Sequence, residues 1–174
     1  MPQRFLAACA VVLSVLIAAP SNSAVPRIES AVRPLIAGHR GASGLFPEHT
    51  LAAYQAALAD GAEMVETDLV MTRDGVLICR HEDRLELTTD VADHPEFADR
   101  LTTKLVGSSE VTGWFAEDFT WAEIQTLRAI ERNPDLRPQS ASYDTDFKVA
   151  SFAQLLSLVH QLSVQRKIWV LPEI

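Results

Sequence analysis

The chain has 174 residues, of which 48% are hydrophobic and 22% charged, and a net charge of −8 at pH 7. This is an ordinary globular composition, and the length is enough for one domain with one core. The acidic balance excludes a nucleic-acid binder, which would need a basic stripe, and it fits poorly with electrostatic docking on anionic membranes.

Residues 1–24 are predicted to be a signal peptide. Arg4 is the only charged side chain before an apolar run from Phe5 to Ala19, and small residues follow Pro20, where a signal peptidase would cut. The run is too short for a comfortable membrane span. We therefore expect an exported protein, periplasmic or secreted, with an uncleaved anchor as the alternative. Cleavage would leave Cys79 as the single cysteine, which predicts a small core residue and no intramolecular disulfide.

The chain from residue 35 onward predicts a β-α-β opening. The apolar run Leu35–Gly38 is predicted to be a buried strand that ends at His39. Thr50 is a suitable N-cap for the helix that follows, and Gly61 lies where a glycine commonly ends a helix. Ala62–Met71 is predicted to be the next strand. This order predicts an α/β domain with a right-handed crossover.

A hairpin is predicted directly after the second strand. Asp74-Gly75 is a strong turn signal, and Val76–Arg80 forms the returning strand, with His81 at its end. The returning strand would bring His81 back beside Glu66 and Asp68. Residues that are far apart in sequence would then line the same site.

The second half of the chain shows weaker patterns. Residues 85–113 are predicted to be an insertion, either a loop or a small helical lobe on the rim of a site. Thr120 and Glu123 resemble a capping box of a helix through residue 127, and Ser151 is predicted to cap a second amphipathic helix. The apolar run of residues 167–171 predicts a last strand, which ends at Glu173.

The polar residues at these strand ends indicate a metal-assisted phosphoester hydrolase. His39 and His81 could exchange protons near neutral pH, and the fork of Arg40 suits a phosphate. Glu66 and Asp68 lie two residues apart on one strand and so point to the same face. Burying unpaired carboxylates costs several kcal/mol, so this face is expected to hold a cation.

Other polar residues carry a weaker signal. Glu173 comes directly after five mostly apolar strand residues, whereas Glu66 and Asp68 lie within an apolar strand. Glu48 lies near a helix start, where the helix dipole alone favours an acid. No functional role is predicted for the remaining histidines, His49, His94 and His160.

The order and spacing of these motifs resemble the glycerophosphodiester phosphodiesterases, and most of all the periplasmic, calcium-dependent bacterial type. The resemblance covers residue 35 to the end of the chain. It implies a TIM-like β/α barrel, with its site at the carboxyl ends of the strands. It rests on four segments: His39-Arg40-Gly41-Ala42-Ser43-Gly44, Pro47-Glu48-His49-Thr50, Glu66-x-Asp68-Leu69-Val70-Met71-Thr72-x-Asp74-Gly75, and His81.

The resemblance implies a role for each matching residue. His39 and His81 match the acid–base histidines, with His39 expected as the base and His81 as the acid, and Arg40 matches the phosphate-binding arginine. Calcium is the expected metal ion, with magnesium as the alternative. Glu48 matches a family position whose role stays open. The implied reaction is hydrolysis of a glycerophosphodiester, such as glycerophosphocholine, to glycerol 3-phosphate and an alcohol. The carboxylates that match the divalent-metal ligands are Glu66, Asp68 and Glu173.

The sequence departs from the family pattern at its end. It stops at Ile174, where the family continues with a lysine, and four strands are predicted where a β/α barrel has eight. We therefore expect only the N-terminal half of a barrel, a truncated form with an open strand edge. Two alternatives remain: a phospholipase C- or D-like enzyme acting on intact lipid, and an inactive exported binding fragment. The head group and the oligomeric state are left open.

Overall fold

The computed structural model describes residues 33–174, so the predicted signal peptide lies outside the described residues. The strands are β1 (Ala37–His39), β2 (Met64–Met71), β3 (Leu77–Cys79), β4 (Thr102–Val106), β5 (Ser109–Gly113) and β6 (Trp169–Glu173). The helices are α1 (Leu51–Ala59), α2 (Trp121–Ile124), α3 (Pro138–Ala141) and α4 (Phe152–Leu162). Short 3₁₀ turns lie between β3 and α2.

Strand β2 is the centre of the main sheet. β1 and β6 pair with it in parallel on either side, and β3 pairs antiparallel with its last residues. The register sets His39 opposite Glu66 and Asp68 opposite Glu173. Since the carboxyl ends of parallel strands meet at one edge of a sheet, the polar residues of β1, β2 and β6 lie close together at that edge. The predicted α/β class is confirmed. The described residues form an open sheet, with three parallel strands and β3 as a short return.

A close contact fixes the loop after β1 against α1. The side chain of Thr50 caps α1 by accepting a hydrogen bond from the backbone N–H of Ala53, as predicted. Gly41 has a φ of +84°, and a Cβ at this position would lie 2.6 Å from the backbone carbon of Ala53. Only glycine fits here, because both the positive φ and the close approach exclude a side chain. The loop that carries Arg40 is thereby held against the helix.

Two apolar clusters stabilise the described residues. The first packs α1 and α4 against β2 and β3, and its buried members are Tyr54, Leu58, Val65, Leu69, Cys79, Ala150, Leu155 and Val159. The second consists mainly of side chains from residues 85–127. Its buried members are Ile78, Leu85, Val91, Phe97, Ala116, Phe119, Ile124, Leu127 and Val149. The burial of Cys79 agrees with the prediction that it is a core residue.

The segment predicted as an insertion, residues 85–113, is more ordered than expected. It contains three 3₁₀ turns and the hairpin β4–β5, and Leu85, Val91 and Phe97 contribute to the second core cluster. The prediction of a small helical lobe missed the hairpin. Both strands are mostly exposed, so no alternation of apolar and polar residues marked them. Gly107, with a φ of +62°, was the turn signal that could have identified the hairpin.

The later helices follow their capping signals. Both predicted capping boxes are present, at Thr120 and at Ser151. α2 ends at Ile124, three residues before the predicted end, and the short helix α3 follows it. Within residues 33–174, no helix is both long and apolar enough to cross a bilayer.

Candidate active site and metal centre

Three carboxylates meet at the carboxyl edge of the sheet. Glu66 and Asp68 project from β2, and Glu173 ends β6 opposite Asp68. One carboxylate oxygen from each residue lies within 4.8 Å of the other two. This brings together the three predicted metal ligands, and hard oxygen donors of this kind suit a divalent cation such as Ca²⁺ or Mg²⁺.

The Glu66 carboxylate is buried and only partly hydrogen-bonded. Its Oε2 accepts a hydrogen bond of 2.8 Å from the backbone N–H of Arg40, but its buried Oε1 has no hydrogen-bond partner among residues 33–174. Burial raises the pKa of Glu66, and the charges of Asp68 and Glu173 raise it further, against the backbone hydrogen bond from Arg40. A cation would satisfy the orphaned oxygen and offset the repulsion, so these residues fit a metal.

Asp68 is held by two neighbouring groups. Its Oδ2 lies 3.3 Å from Nε of Arg40 and accepts a hydrogen bond of 3.1 Å from Nε2 of His49. The Arg40 contact is an ion pair without hydrogen-bond geometry, since Nε is a buried donor with no hydrogen-bond partner in the described residues. Arg40 and His49 both have positive φ values, 59° and 61°. These sparsely populated conformations turn both side chains toward Asp68.

The Glu48 carboxylate lies beside the guanidinium of Arg40 and is held in place by it. Its Oε1 accepts a hydrogen bond of 3.1 Å from Nη1 of Arg40, and the Glu48 side chain is only 4% exposed. Burial opposes ionisation of Glu48, but the hydrogen bond and charge of Arg132, with the charge of Arg40, outweigh burial and lower its pKa. Glu48 therefore remains ionised and orients the guanidinium of Arg40.

The two predicted acid–base histidines lie at the ends of β1 and β3. His39 is largely exposed, and its Nε2 lies 4.0 Å from Oε2 of Glu66. His81 follows β3 and Arg80, whose backbone N–H donates to the carbonyl of Asp68. The side chain of His81 contacts Glu82, with 2.9 Å from Nδ1 to Oε1. The hairpin therefore returns His81 to the same edge of the sheet as Glu66 and Asp68, while its imidazole pairs with Glu82.

Two residues of the site carried no usable signal in the sequence. His49 contacts a predicted metal ligand, although no role was assigned to it. Arg132 donates to both Glu48 and Glu82, across 84 and 50 residues of chain. Such contacts depend on tertiary packing. For His49, the only indication was its position in the turn before a capped helix. No pattern in the sequence indicated a role for Arg132.

Comparison with known proteins places this site in a family of phosphodiester hydrolases. The model of the glycerophosphoryl diester phosphodiesterase family matches residues 39–174. The glycerophosphodiester phosphodiesterase GDPD6 of Arabidopsis thaliana is 44% identical over 142 residues, which cover 82% of this chain and 37% of the relative. The glycerophosphodiester phosphodiesterase of Haemophilus influenzae is 31% identical over 150 residues, covering 80% of this chain and 39% of the relative. The chain belongs to the glycerophosphoryl diester phosphodiesterase family, which confirms the resemblance of the motifs.

A solved structure supports the same conclusion. A crystal structure from Silicibacter pomeroyi DSS-3, of a protein assigned as a glycerophosphoryl diester phosphodiesterase, matches with a TM-score of 0.61 and 27% identity. The match covers 79% of this chain and 44% of that one. The chain thus spans between 37% and 44% of the length of these three relatives. The predicted TIM-like barrel is the fold of the family, and the described residues hold a part of it.

Proposed function

We propose that this site belongs to a metal-dependent enzyme that hydrolyses glycerophosphodiesters to glycerol 3-phosphate and an alcohol. The observation that carries the proposal is the group of three carboxylates, Glu66, Asp68 and Glu173, placed beside the guanidinium of Arg40. Within the part of the chain that the structure describes, one buried carboxylate oxygen in this group lacks a hydrogen-bond partner. The names of the Arabidopsis and Haemophilus relatives support the substrate class.

The cofactor of the proposed reaction is a divalent cation held by Glu66, Asp68 and Glu173. When bound, it would supply positive charge that stabilises the negative charge developing on the phosphoryl oxygens. We propose calcium, with magnesium as the alternative: the hard carboxylate oxygens suit either ion, and the resemblance to the periplasmic bacterial type favours calcium.

The remaining groups bind the diester and move protons. Arg40 would bind a phosphate oxygen, and its orientation is set by Glu48. His39 would act as the base on the attacking hydroxyl, since it is exposed and its Nε2 lies 4.0 Å from the Glu66 carboxylate of the proposed metal centre. His81 would protonate the leaving alcohol. Its Nδ1 bonds to Glu82, so Nε2 is the nitrogen available to the substrate.

Export of the protein is part of the proposal and remains a prediction. It rests on the apolar pattern of residues 1–24, which lie outside the described residues. The substrates that we expect, such as glycerophosphocholine and glycerophosphoethanolamine, are small and water-soluble. They require no membrane docking surface, which agrees with the net charge of −8.

An assay of glycerol 3-phosphate release tests the proposal. The chain would be assayed as it is and also extended by the downstream coding sequence, with glycerophosphocholine and with vesicles of intact phosphatidylcholine. We expect the extended chain to hydrolyse the soluble diester and to lose activity with a chelator. His39→Ala and His81→Ala should each lose about 100-fold or more in rate, on the scale of lost acid–base groups, and the exposed control His160→Ala should not.

Three outcomes would count against the proposal. Activity that a chelator leaves unchanged would overturn the metal assignment. Turnover near that of the parent in either histidine variant would overturn the role of that residue. Preference for intact lipid vesicles would replace the soluble substrate with a phospholipid.

A further inference from the structure

The guanidinium of Arg132 joins two carboxylates from different parts of the site. Its Nε and Nη2 donate to Oε2 and Oε1 of Glu48 at 3.1 and 2.7 Å. Its Nη1 and Nη2 donate to Oε1 and Oε2 of Glu82 at 2.6 and 2.5 Å. Both contacts are bidentate, which is the geometry that guanidinium and carboxylate groups favour. These bonds use most of the N–H groups of Arg132, so it contacts carboxylates and not the substrate.

Each of these carboxylates contacts a proposed functional residue. Oε1 of Glu48 accepts a hydrogen bond of 3.1 Å from Nη1 of Arg40, which is proposed to bind phosphate. Oε1 of Glu82 lies 2.9 Å from Nδ1 of His81, the proposed acid. A continuous chain of hydrogen bonds between alternating charges therefore runs from Arg40 to His81, with Arg132 at its centre.

The charges of this chain depend on Arg132. Burial opposes ionisation of Glu82, but hydrogen bonds from Arg132 and His81 outweigh it and lower the pKa of Glu82 to about 2. Burial also opposes the charge of Arg132, yet the two carboxylates outweigh that effect and raise its pKa. Without Arg132, Glu48 and Glu82 would repel each other, and the Glu48 side chain is only 4% exposed.

The backbone around Arg132 is held on both sides. The N–H of Ile130 donates to the carbonyl of Thr88 at 3.0 Å, and that of Glu131 donates to the Asp144 carboxylate at 2.7 Å. The N–H of Asn133 donates to Oε1 of Glu131 at 2.9 Å. Arg132 therefore extends from a fixed segment, as a residue that positions others should.

We propose that Arg132 is a positioning residue of this site, which holds Glu48 and Glu82 so that Arg40 and His81 face one bound phosphodiester. This inference rests on the proposed function, because it presumes that Arg40 binds phosphate and that His81 transfers a proton. It adds to the functional set a residue that lies 50 positions after Glu82 in the sequence.

Steady-state kinetics of Arg132 variants tests the proposal in the extended chain with glycerophosphocholine. Arg132→Ala and Arg132→Lys should each lower kcat by about 10- to 100-fold, the range for lost supporting contacts and small displacements. Lysine keeps the charge but cannot bind two carboxylates bidentately. Millimolar guanidinium should restore part of the kcat of Arg132→Ala and none of that of Arg132→Lys.

The matched control is Arg100→Ala. Arg100 pairs with Glu123 at 2.9 Å and with the carbonyl of Asp118, away from the proposed site. This variant should lower the melting temperature and leave kcat unchanged. If Arg132→Ala does not fold, Arg132→Lys decides, because it keeps a positive charge between the two carboxylates.

A second readout does not require turnover. At a pH where the imidazole is neutral, ¹⁵N NMR of the parent chain should show His81 with its proton on Nδ1, bonded to Glu82, and in Arg132→Lys it should show a mixture of both tautomers. An unchanged tautomer in folded Arg132→Lys overturns the inference. An unchanged kcat of this variant in an active enzyme overturns it as well. Failure of the extended parent to hydrolyse any glycerophosphodiester would overturn the proposed function instead, while the NMR comparison would still decide the coupling of Arg132 to His81.

Discussion

His49 donates a hydrogen bond from Nε2 to Oδ2 of Asp68 across 3.1 Å, and its Nδ1 lies 2.7 Å from the hydroxyl oxygen of Tyr54. Burial lowers the pKa of His49 to about 4, although Glu48 and Asp68 favour its charged form. The imidazole is therefore neutral at pH 7, and it fixes the orientation of the Asp68 carboxylate. This arrangement is the one that supports metal-binding carboxylates in other proteins.

We predict that His49→Ala weakens binding of Ca²⁺ by about 10- to 100-fold, the usual effect of losing a group that orients a metal ligand. Isothermal titration calorimetry measures this affinity directly. His160→Ala, at an exposed position on α4, is the control and should bind as the parent does. Equal affinity in His49→Ala and the control would show that Asp68 needs no support from this side chain.

We predict that Glu66→Gln removes the stabilisation of the protein by a divalent cation. The parent should gain roughly 2.7 kcal/mol at a free ion concentration of 100 times Kd, because the ion binds only the folded state. In chelator, Glu66→Gln should be at least as stable as the parent, since burial raises the pKa of Glu66 and its charge opposes folding. Thermal unfolding with and without Ca²⁺ measures both effects.

The exposed residue Glu110 on β5 provides a control for this experiment. Glu110→Gln should keep the full gain in melting temperature with Ca²⁺. A gain of the same size in Glu66→Gln would remove Glu66 from the metal centre.

We predict that the contribution of Glu82 to stability is lost at acidic pH. Its pKa falls from 4.5 to about 2 in the folded state, so the charged form is favoured by folding. A group with a lowered pKa stabilises the protein above its unfolded pKa and loses this effect as pH falls toward its folded pKa. Urea unfolding should therefore show a difference between the parent and Glu82→Gln that is constant above pH 4.5 and shrinks toward pH 2. A difference that does not change with pH would contradict the ion pair with Arg132.

We predict that the Cys79 thiol is inert in the folded protein. Burial raises its pKa to about 11, against hydrogen bonds with Thr67 and Tyr54. Since the thiolate fraction falls tenfold for each unit by which the pKa exceeds the pH, reaction with a disulfide reagent at pH 8 should be slower by about 100-fold or more than after unfolding. The Cys9→Ser variant leaves Cys79 as the single thiol for this measurement. Equal rates in the folded and unfolded chain would show that β3 exposes the thiol.

The histidines show where the sequence stopped being informative. His39 and His81 were predicted as functional because each follows an apolar strand, and the structure places both at the carboxyl edge of the sheet. His49 lies in a turn before a helix, so its pattern resembled an ordinary loop. Its contact with Asp68 depends on a φ of 61° and on the packing of the loop, which no pattern of neighbouring residues encodes.

The segment of residues 85–127, which we call the lobe, shows that the sequence predicted only part of the fold as well. The capping box at Thr120 was predictable, because a cap and its partner lie within one turn of helix. The hairpin β4–β5 was not predicted, because exposed strands lack the alternating pattern that burial on one face imposes. The contribution of Phe97 to a core cluster also depends on residues distant in the chain.

The helix caps, the Asp74-Gly75 hairpin and the shared face of Glu66 and Asp68 could be predicted without a structure, and so could the family. The first three are local features, because caps, turns and strand periodicity involve residues a few positions apart. The pairing of β6 with β2, which brings Glu173 to Asp68, and the contacts of Arg132 with Glu48 and Glu82 became visible only in the folded chain. Contacts of this kind form when the chain packs, since the free energy of burying charged groups is recovered only where distant partners meet.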